Sequence, residues 1–141
     1  MWTIGNMLWR VGATLDVEEQ LAWCLEAGFD GVGVHASAGV ASQWRGIDPA
    51  TTGCVARERL LRLAAPLVWR EVHAPFAVEL RGGNLEEATA ALRPVLDLAG
   101  NLRADVVTVH ALVPDAGALA WALRLVGLDR MAAAAGVRIG L

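Results

Sequence analysis

The sequence predicts an α/β domain whose sheet is parallel. Short runs of β-branched residues alternate with helix-period segments along the whole chain, a pattern typical of strands joined by crossover helices. Successive predicted strands are also spaced by roughly 30 residues or more, the length that a strand–helix–strand unit takes. With 141 residues, the chain is long enough for one domain with its own core, so we expect residues 1–141 to form a single domain.

Five strands and four helices are predicted, and strands and helices alternate in order. The predicted strands are Thr3–Trp9, Gly31–His35, Arg70–Ala74, Asp105–His110 and Val137–Leu141.

The helices are predicted from their caps and from apolar residues at helical spacing. Asp16 and Glu19 form a capping box for the first helix, which Gly28 ends. Asn84 is expected to cap the third helix, and Pro94 inside it is expected to kink or split it. The second helix is predicted over Val55–Ala65, before Pro66, and the fourth from a cap at Asp115 towards Gly136.

A long loop, Ala36–Gly53, separates the second strand from its helix. It is rich in Gly, Ser and Thr, and loops of this length in compact domains are usually lids, binding loops or disordered. We expect it to act as a lid.

Composition narrows the class of function. Hydrophobic residues make up 55% of the chain, and the net charge is −3. All twelve basic residues are arginine, without the basic patch that nucleic-acid binding needs, so no nucleic-acid partner is expected. Neither a signal peptide nor a membrane span is predicted, and a cytoplasmic location follows as the default expectation. Two cysteines are too few for a disulfide scaffold.

The three histidines all occur in the same tripeptide, Val-His-Ala. His35, His73 and His110 each end a predicted strand, so their imidazoles are expected at the carboxyl edge of the sheet, where α/β proteins build their sites. Side chains alternate along a strand, which places the histidines, with Glu71 and Thr108, on the face opposite the valines. A polar face backed by a valine face is typical of a barrel interior.

Two interpretations of these histidines stay open. A single histidine at a strand end is often a hydrogen-bonded core residue. Three histidines at matched positions favour a functional site. His35 is the weakest candidate of the three, because a long loop lies beside it. Neutral imidazole can bind zinc, manganese or iron, or it can hydrogen-bond a sugar hydroxyl and move a proton near neutral pH.

The sequence also resembles the xylose isomerase-like TIM-barrel superfamily, which includes sugar (phosphate) isomerases and epimerases and the family 2 AP endonucleases. The residues that carry the resemblance are Glu71-Val72-His73-Ala74-Pro75-Phe76, Asn84-Leu85-Glu86-Glu87, Leu96-Asp97-Leu98-Ala99, Asp105-Val106-Val107-Thr108-Val109-His110 and the closing Gly136-Val137-Arg138-Ile139-Gly140-Leu141.

The resemblance implies an isomerase or epimerase that uses a divalent metal (Mn, Zn, Mg or Co) and proton transfer at carbon. His73 and His110 match residues that bind metal or face the substrate, and they are the expected catalytic and metal-binding residues. A small sugar-like molecule is the expected substrate, and His35, Glu71 and Trp9 are expected to contact it. Trp9 would stack on a sugar ring, although a buried aromatic plug is an equal alternative.

The resemblance further implies that the chain is the amino-terminal half of such a barrel, which needs about 250 residues. Four βα units and a fifth strand are present, whereas the family's metal-binding carboxylates belong to later strands. The chain alone is therefore expected to bind metal weakly, if at all, and to be inactive. A truncated chain, a frameshifted reading frame and a subunit completed by another chain are the open explanations.

Two alternatives to a sugar isomerase remain. One is a non-catalytic half-barrel that assembles with itself or a partner, and homo-oligomers are expected because an open sheet leaves edges and one face uncovered. The other is an endonuclease-like metal hydrolase, which the acidic composition disfavours.

Overall fold

The computed structural model describes residues 5–7, 15–40, 44–75, 85–110 and 118–141. Strands and helices alternate along these ranges, except for two short strands inserted after the second one. In chain order they are β1 (Gly5–Met7), α1 (Val17–Glu26), β2 (Gly31–His35), β3 (Gly39–Val40), β4 (Trp44–Arg45), α2 (Cys54–Ala64), β5 (Trp69–His73), α3 (Leu85–Asn101), β6 (Val106–Thr108), α4 (Ala118–Ala134) and β7 (Arg138–Gly140).

Five of the strands form one parallel sheet. Their order is β1-β2-β5-β6-β7, and every neighbouring pair is parallel. The order of the strands in the sheet therefore follows their order in the chain, and the described part of each connection between main strands contains one helix. This confirms the predicted class: four βα units of barrel type followed by a fifth strand.

The loop after β2 contains a small hairpin that the sequence analysis did not predict. Strands β3 and β4 pair antiparallel, with Gly39 opposite Arg45 and Val40 opposite Trp44. Gly39 has a φ of +88°, a conformation that glycine adopts without steric cost. The loop is thus partly ordered by its own backbone pairing.

The predicted capping box begins α1. The Asp16 carboxylate accepts a hydrogen bond from the Glu19 backbone N–H at 2.9 Å, and the Glu19 carboxylate accepts one from the Asp16 N–H at 2.8 Å. These bonds satisfy two donors that a helix start leaves unpaired. Gly28, with a φ of +79°, follows the helix as predicted.

Helix α3 runs without a break through Pro94, so the predicted split at this residue is wrong. The proline costs one backbone hydrogen bond, about 3 kcal/mol. Buried residues on both sides of it, Leu92, Val95, Leu96 and Leu98, each return about 1.5–3 kcal/mol by leaving water. Packing therefore outweighs the local penalty. The predicted caps Asn84 and Asp115 lie outside the described residues.

Helix α3 ends in an unusual way. Arg103 has a φ of 51°, and the Ala104 N–H donates to the Ala99 carbonyl at 2.9 Å, as in a Schellman motif. Glycine usually occupies this left-handed position, because a Cβ is strained there.

The core lies between one face of the sheet and the helices. Valines at alternate positions of β2, β5 and the segment around β6 face this layer, as predicted, and are buried against residues of α1, α2 and α3. The core residues in these elements include Val32, Val34, Val72, Val107, Val109, Leu21, Cys24, Leu60, Leu92, Leu96 and Leu98.

The opposite face of the sheet, here called the inner face, packs large side chains over glycines. A Cβ on Gly31 would lie 3.0 Å from the Trp69 ring, and one on Gly140 would lie 3.1 Å from Val106. Trp69, Glu71 and Val106 are only half-buried. The inner face is thus partly filled by the chain and partly open.

None of the helices within the described ranges is long and apolar enough to cross a membrane.

Candidate functional site

The three histidines meet at the carboxyl edge of the inner face. His35 and His73 end β2 and β5 and lie opposite each other in the strand register. Their ring centroids are 4.6 Å apart, and those of His73 and His110 are 5.0 Å apart. The imidazoles therefore form one row across three adjacent strands, with His73 in the middle. We call this the histidine row.

Strand β6 ends at Thr108, so His110 lies two residues beyond it, whereas the repeated tripeptide predicted that His110 ends the strand. His73 pairs with Thr108, not with His110. Neighbouring strands of a barrel are staggered in this way, and the stagger places His110 two residues beyond the register partner of His73, still on the same face.

Exposure changes steadily along the row. His35 is buried, with 1% of its surface exposed, His73 is half-buried, and His110 is exposed. The row therefore leads from dry protein to solvent. A small molecule would reach His110 first and His73 next.

Burial sets the charge of His35. Desolvation, together with the nearby charges of His73 and His110, lowers the pKa of His35 from 6.5 to about 4. The imidazole is neutral at physiological pH, because burial penalises the charged form and like charges add to the penalty. A neutral imidazole has one donor and one acceptor nitrogen.

A backbone contact assigns the tautomer of His73. Its Nδ1 lies 2.8 Å from the Ala74 carbonyl oxygen. A carbonyl oxygen only accepts, so Nδ1 carries the hydrogen and donates it. In the neutral ring, Nε2 is then the nitrogen with the lone pair, the form required of a proton acceptor.

The predicted substrate-contacting carboxylate lies below the row. Glu71 is two residues before His73 on the same face, and it lies opposite Gly33 in the neighbouring strand. Glu71 is half-buried. Trp69, two residues further down, fills the base of the inner face over Gly31. Trp9 lies outside the described residues.

Thr108 joins the site as a residue that the sequence analysis placed on this face without giving it a role. It lies opposite His73 in the register and is half-buried. The signal was the alternation of side chains, since Thr108 precedes His110 by two residues.

The donor set of the described residues does not fit a resident metal ion. A site of this kind needs three or more ligands converging on one point about 2.0–2.2 Å away, and no group of three or more His, Cys, Asp or Glu in the described ranges has that arrangement. The imidazoles are tilted by 33° and 54° to their neighbours and pack ring against ring. The metal-binding roles of His73 and His110 stay predictions.

Comparisons with known proteins agree on the fold. A D-tagatose 3-epimerase-like protein superimposes on 99% of this chain with a TM-score of 0.64 and 18% identity, and the match covers 52% of that protein. A xylose isomerase domain protein from Planctomyces limnophilus superimposes on 98% with a TM-score of 0.64 and 17% identity, covering 53% of it. The chain therefore has the fold of about half of each of these two proteins.

This result confirms the resemblance at the level of the fold. The chain spans about half the length of the solved structures that it matches. No family model and no curated protein matches the sequence.

Proposed function

We propose that the histidine row binds a sugar or a similar polyol, and that the chain contributes this row to an isomerase or epimerase. The observation that carries the proposal is the adjacency of three imidazoles at the carboxyl edge of parallel strands. That edge is where barrel enzymes hold their substrates. Two similar folds bear the names of a sugar epimerase and a sugar isomerase, which supports the substrate class.

Neutral imidazoles suit a polyol. Each offers one donor and one acceptor nitrogen, which matches hydroxyl groups that both donate and accept. His35 offers its two ring nitrogens at the buried end of the row, whereas His110 offers its nitrogens at the solvent-exposed end. Glu71 accepts from a further hydroxyl, and Trp9 is proposed to stack on the ring of the sugar.

The proposed reaction is proton transfer at the carbon beside a carbonyl group. A base removes the proton from that carbon, and the electron pair of the C–H bond moves to give an enediolate. Return of a proton to the opposite face inverts that carbon. Return to the neighbouring carbon, with transfer of a proton from the hydroxyl oxygen to the former carbonyl oxygen, moves the carbonyl. His73, through Nε2, and His110 are the proposed proton carriers, because an imidazole nitrogen can accept a proton and release it again.

The described residues supply only part of such a site. They do not form a metal centre. We propose that the remaining groups of the site come from a second polypeptide segment that closes the barrel. We also propose that the protein is cytoplasmic.

Binding and turnover are tested separately. Calorimetric titration with D-tagatose and with D-xylose is expected to show binding. His73→Gln and His110→Gln are each expected to weaken this binding by roughly tenfold or more, because each removes about one hydrogen bond to the sugar. Arg62→Gln, an exposed change on α2, is the matched control. Incorporation of deuterium from solvent at a sugar carbon would report proton transfer. Equal affinities in the wild type and both histidine variants would refute the proposal.

A second candidate is a non-catalytic half-barrel whose role is assembly. Among the described residues, strands β1 and β7 are the two ends of the sheet and have a neighbour on one side only, so their outer backbone groups can pair with another chain. Helix α4 carries Leu119, Leu123 and Val126 at helical spacing, 76%, 63% and 48% exposed, an apolar stripe of the kind that packs against another helix. This candidate predicts assembly without sugar binding.

A further inference from the structure

The chain that follows β2 turns back and contacts the end of that strand. The Ile47 N–H donates to the His35 carbonyl at 2.8 Å, and the Ala36 N–H donates to the His73 carbonyl at 2.9 Å. Both bonds hold backbone at the buried end of the histidine row. The loop is therefore attached to the same residues that carry the imidazoles.

Gly46, which precedes Ile47, makes this approach sterically feasible. A Cβ at this position would lie 2.5 Å from the His35 carbonyl oxygen, 2.5 Å from the Ser37 carbonyl oxygen and 3.0 Å from the His35 Cβ. Such distances are far inside van der Waals contact, where repulsion rises steeply. The two closest atoms belong to the backbone, so they cannot move aside by a rotamer change.

The loop is anchored on its other side by a buried side chain. Ile47 is 3% exposed and belongs to the core between the sheet and the helices. The loop therefore cannot retreat from His35 without taking Ile47 out of the core. A side chain at position 46 would have to break either the Ile47–His35 hydrogen bond or this packing.

We propose that Gly46 is a positioning residue of the histidine row: its lack of a side chain lets the loop lie on the end of β2, which keeps His35 buried and in line with His73. This inference rests on the proposed function for its ligand, a sugar. Gly46 does not itself touch the sugar. It acts through His35.

Gly53 is the matched control in the same loop. A Cβ on Gly53 would meet no atom within 4 Å, and its φ of −70° and ψ of 170° suit any L-residue. Gly46→Ala and Gly53→Ala therefore add the same methyl group to one loop, and only the first creates a clash.

The test compares both variants with the wild type in three measurements: amide exchange of Ile47, modification of His35 by diethyl pyrocarbonate, and calorimetric binding of D-tagatose and D-xylose. Gly46→Ala is expected to speed Ile47 exchange by roughly tenfold or more relative to the Val107 amide in the same sample. It should also make His35 reactive and weaken sugar binding by a similar factor. Gly53→Ala should leave all three unchanged.

Other results of these measurements would contradict the proposal for Gly46 or the proposed function. Wild-type protection of Ile47 in Gly46→Ala would overturn the steric argument, and fast exchange with unchanged sugar affinity would reduce Gly46 to a structural role. If the wild type binds no sugar, the proposed function fails, while exchange and His35 modification still decide whether Gly46 positions the row. Should Gly46→Ala fail to fold, Ile47→Ala weakens the same anchor and is expected to give the same pattern.

Discussion

The buried imidazole of His35 is expected to make the protein sensitive to mild acid. Its pKa is lowered to about 4 by desolvation and by the charges of His73 and His110, against 6.5 for an ordinary histidine. The unfolded chain therefore binds a proton near pH 6.5, whereas the folded chain binds it only near pH 4. The contribution of neutral His35 to the free energy of unfolding is fully present above pH 6.5. It is lost as the pH falls from 6.5 to about 4.

The size of the effect follows from the same two values. Each pH unit between them is equivalent to about 1.4 kcal/mol. The loss from His35 is thus about 3 kcal/mol once the pH is below 4. This loss is a large fraction of the free energy of unfolding of a typical domain, which is roughly 5–15 kcal/mol.

The assay is urea unfolding of the wild type and His35→Gln at several pH values from about 7.5 to about 4. Carboxyl groups titrate in the same range, but they do so in both proteins and cancel in the difference. His35→Gln is expected to lose stability less steeply, with a difference that grows to about 3 kcal/mol at the acid end. His110→Gln, which removes an exposed imidazole, is the matched control and should keep most of the wild-type slope.

Parallel pH profiles for the wild type and His35→Gln would refute the reasoning. So would a His35 ring proton signal that titrates near pH 6.5 in the NMR spectrum. Either result would mean that His35 gains the proton without the cost of burial.

Three further predictions concern assembly, metal and a helix end. The open inner face and the two sheet edges predict self-association, so light scattering over a wide range of concentration should show species larger than the monomer; a well-folded, cooperative monomer throughout would contradict this. Metal binding by this chain should be weak, and calorimetry that showed tight zinc or manganese binding, persisting in a His73→Ala, His110→Ala double variant, would overturn the prediction. Arg103→Gly should stabilise the protein by roughly 0.5–1 kcal/mol, because the strain that glycine removes from the left-handed position is larger than the entropy that glycine loses on folding. A urea midpoint that is unchanged or lower than that of the wild type would contradict this prediction.

The sequence by itself was enough for the order of the main strands and helices along the chain and for the faces of the main strands. Alternation of side chains has a strict period of two, so it separated the valines that pack on the helices from the histidines on the inner face. The capping box at Asp16 is equally local, because its two hydrogen bonds join residues three apart. Both of these predictions depend on short separations along the chain, and both were confirmed for this reason.

Tertiary contacts decided what local rules could not. Helix α3 continues through Pro94 because buried neighbours on both sides outweigh one lost hydrogen bond, and that burial depends on what the helix packs against. Strands β3 and β4 have two residues each, too few for an alternating pattern to predict them.

The site shows the same division. The repeated Val-His-Ala tripeptide predicted three imidazoles at one edge, and they do form a row there. Their unequal burial, the position of His110 and the closeness of Gly46 to His35 depend on strand stagger and on a loop that brings Gly46 back to a residue eleven positions before it in the chain. Spacing in sequence determines which face a side chain occupies, whereas register and loop packing, which join distant segments, determine how deep it lies and therefore whether it carries charge.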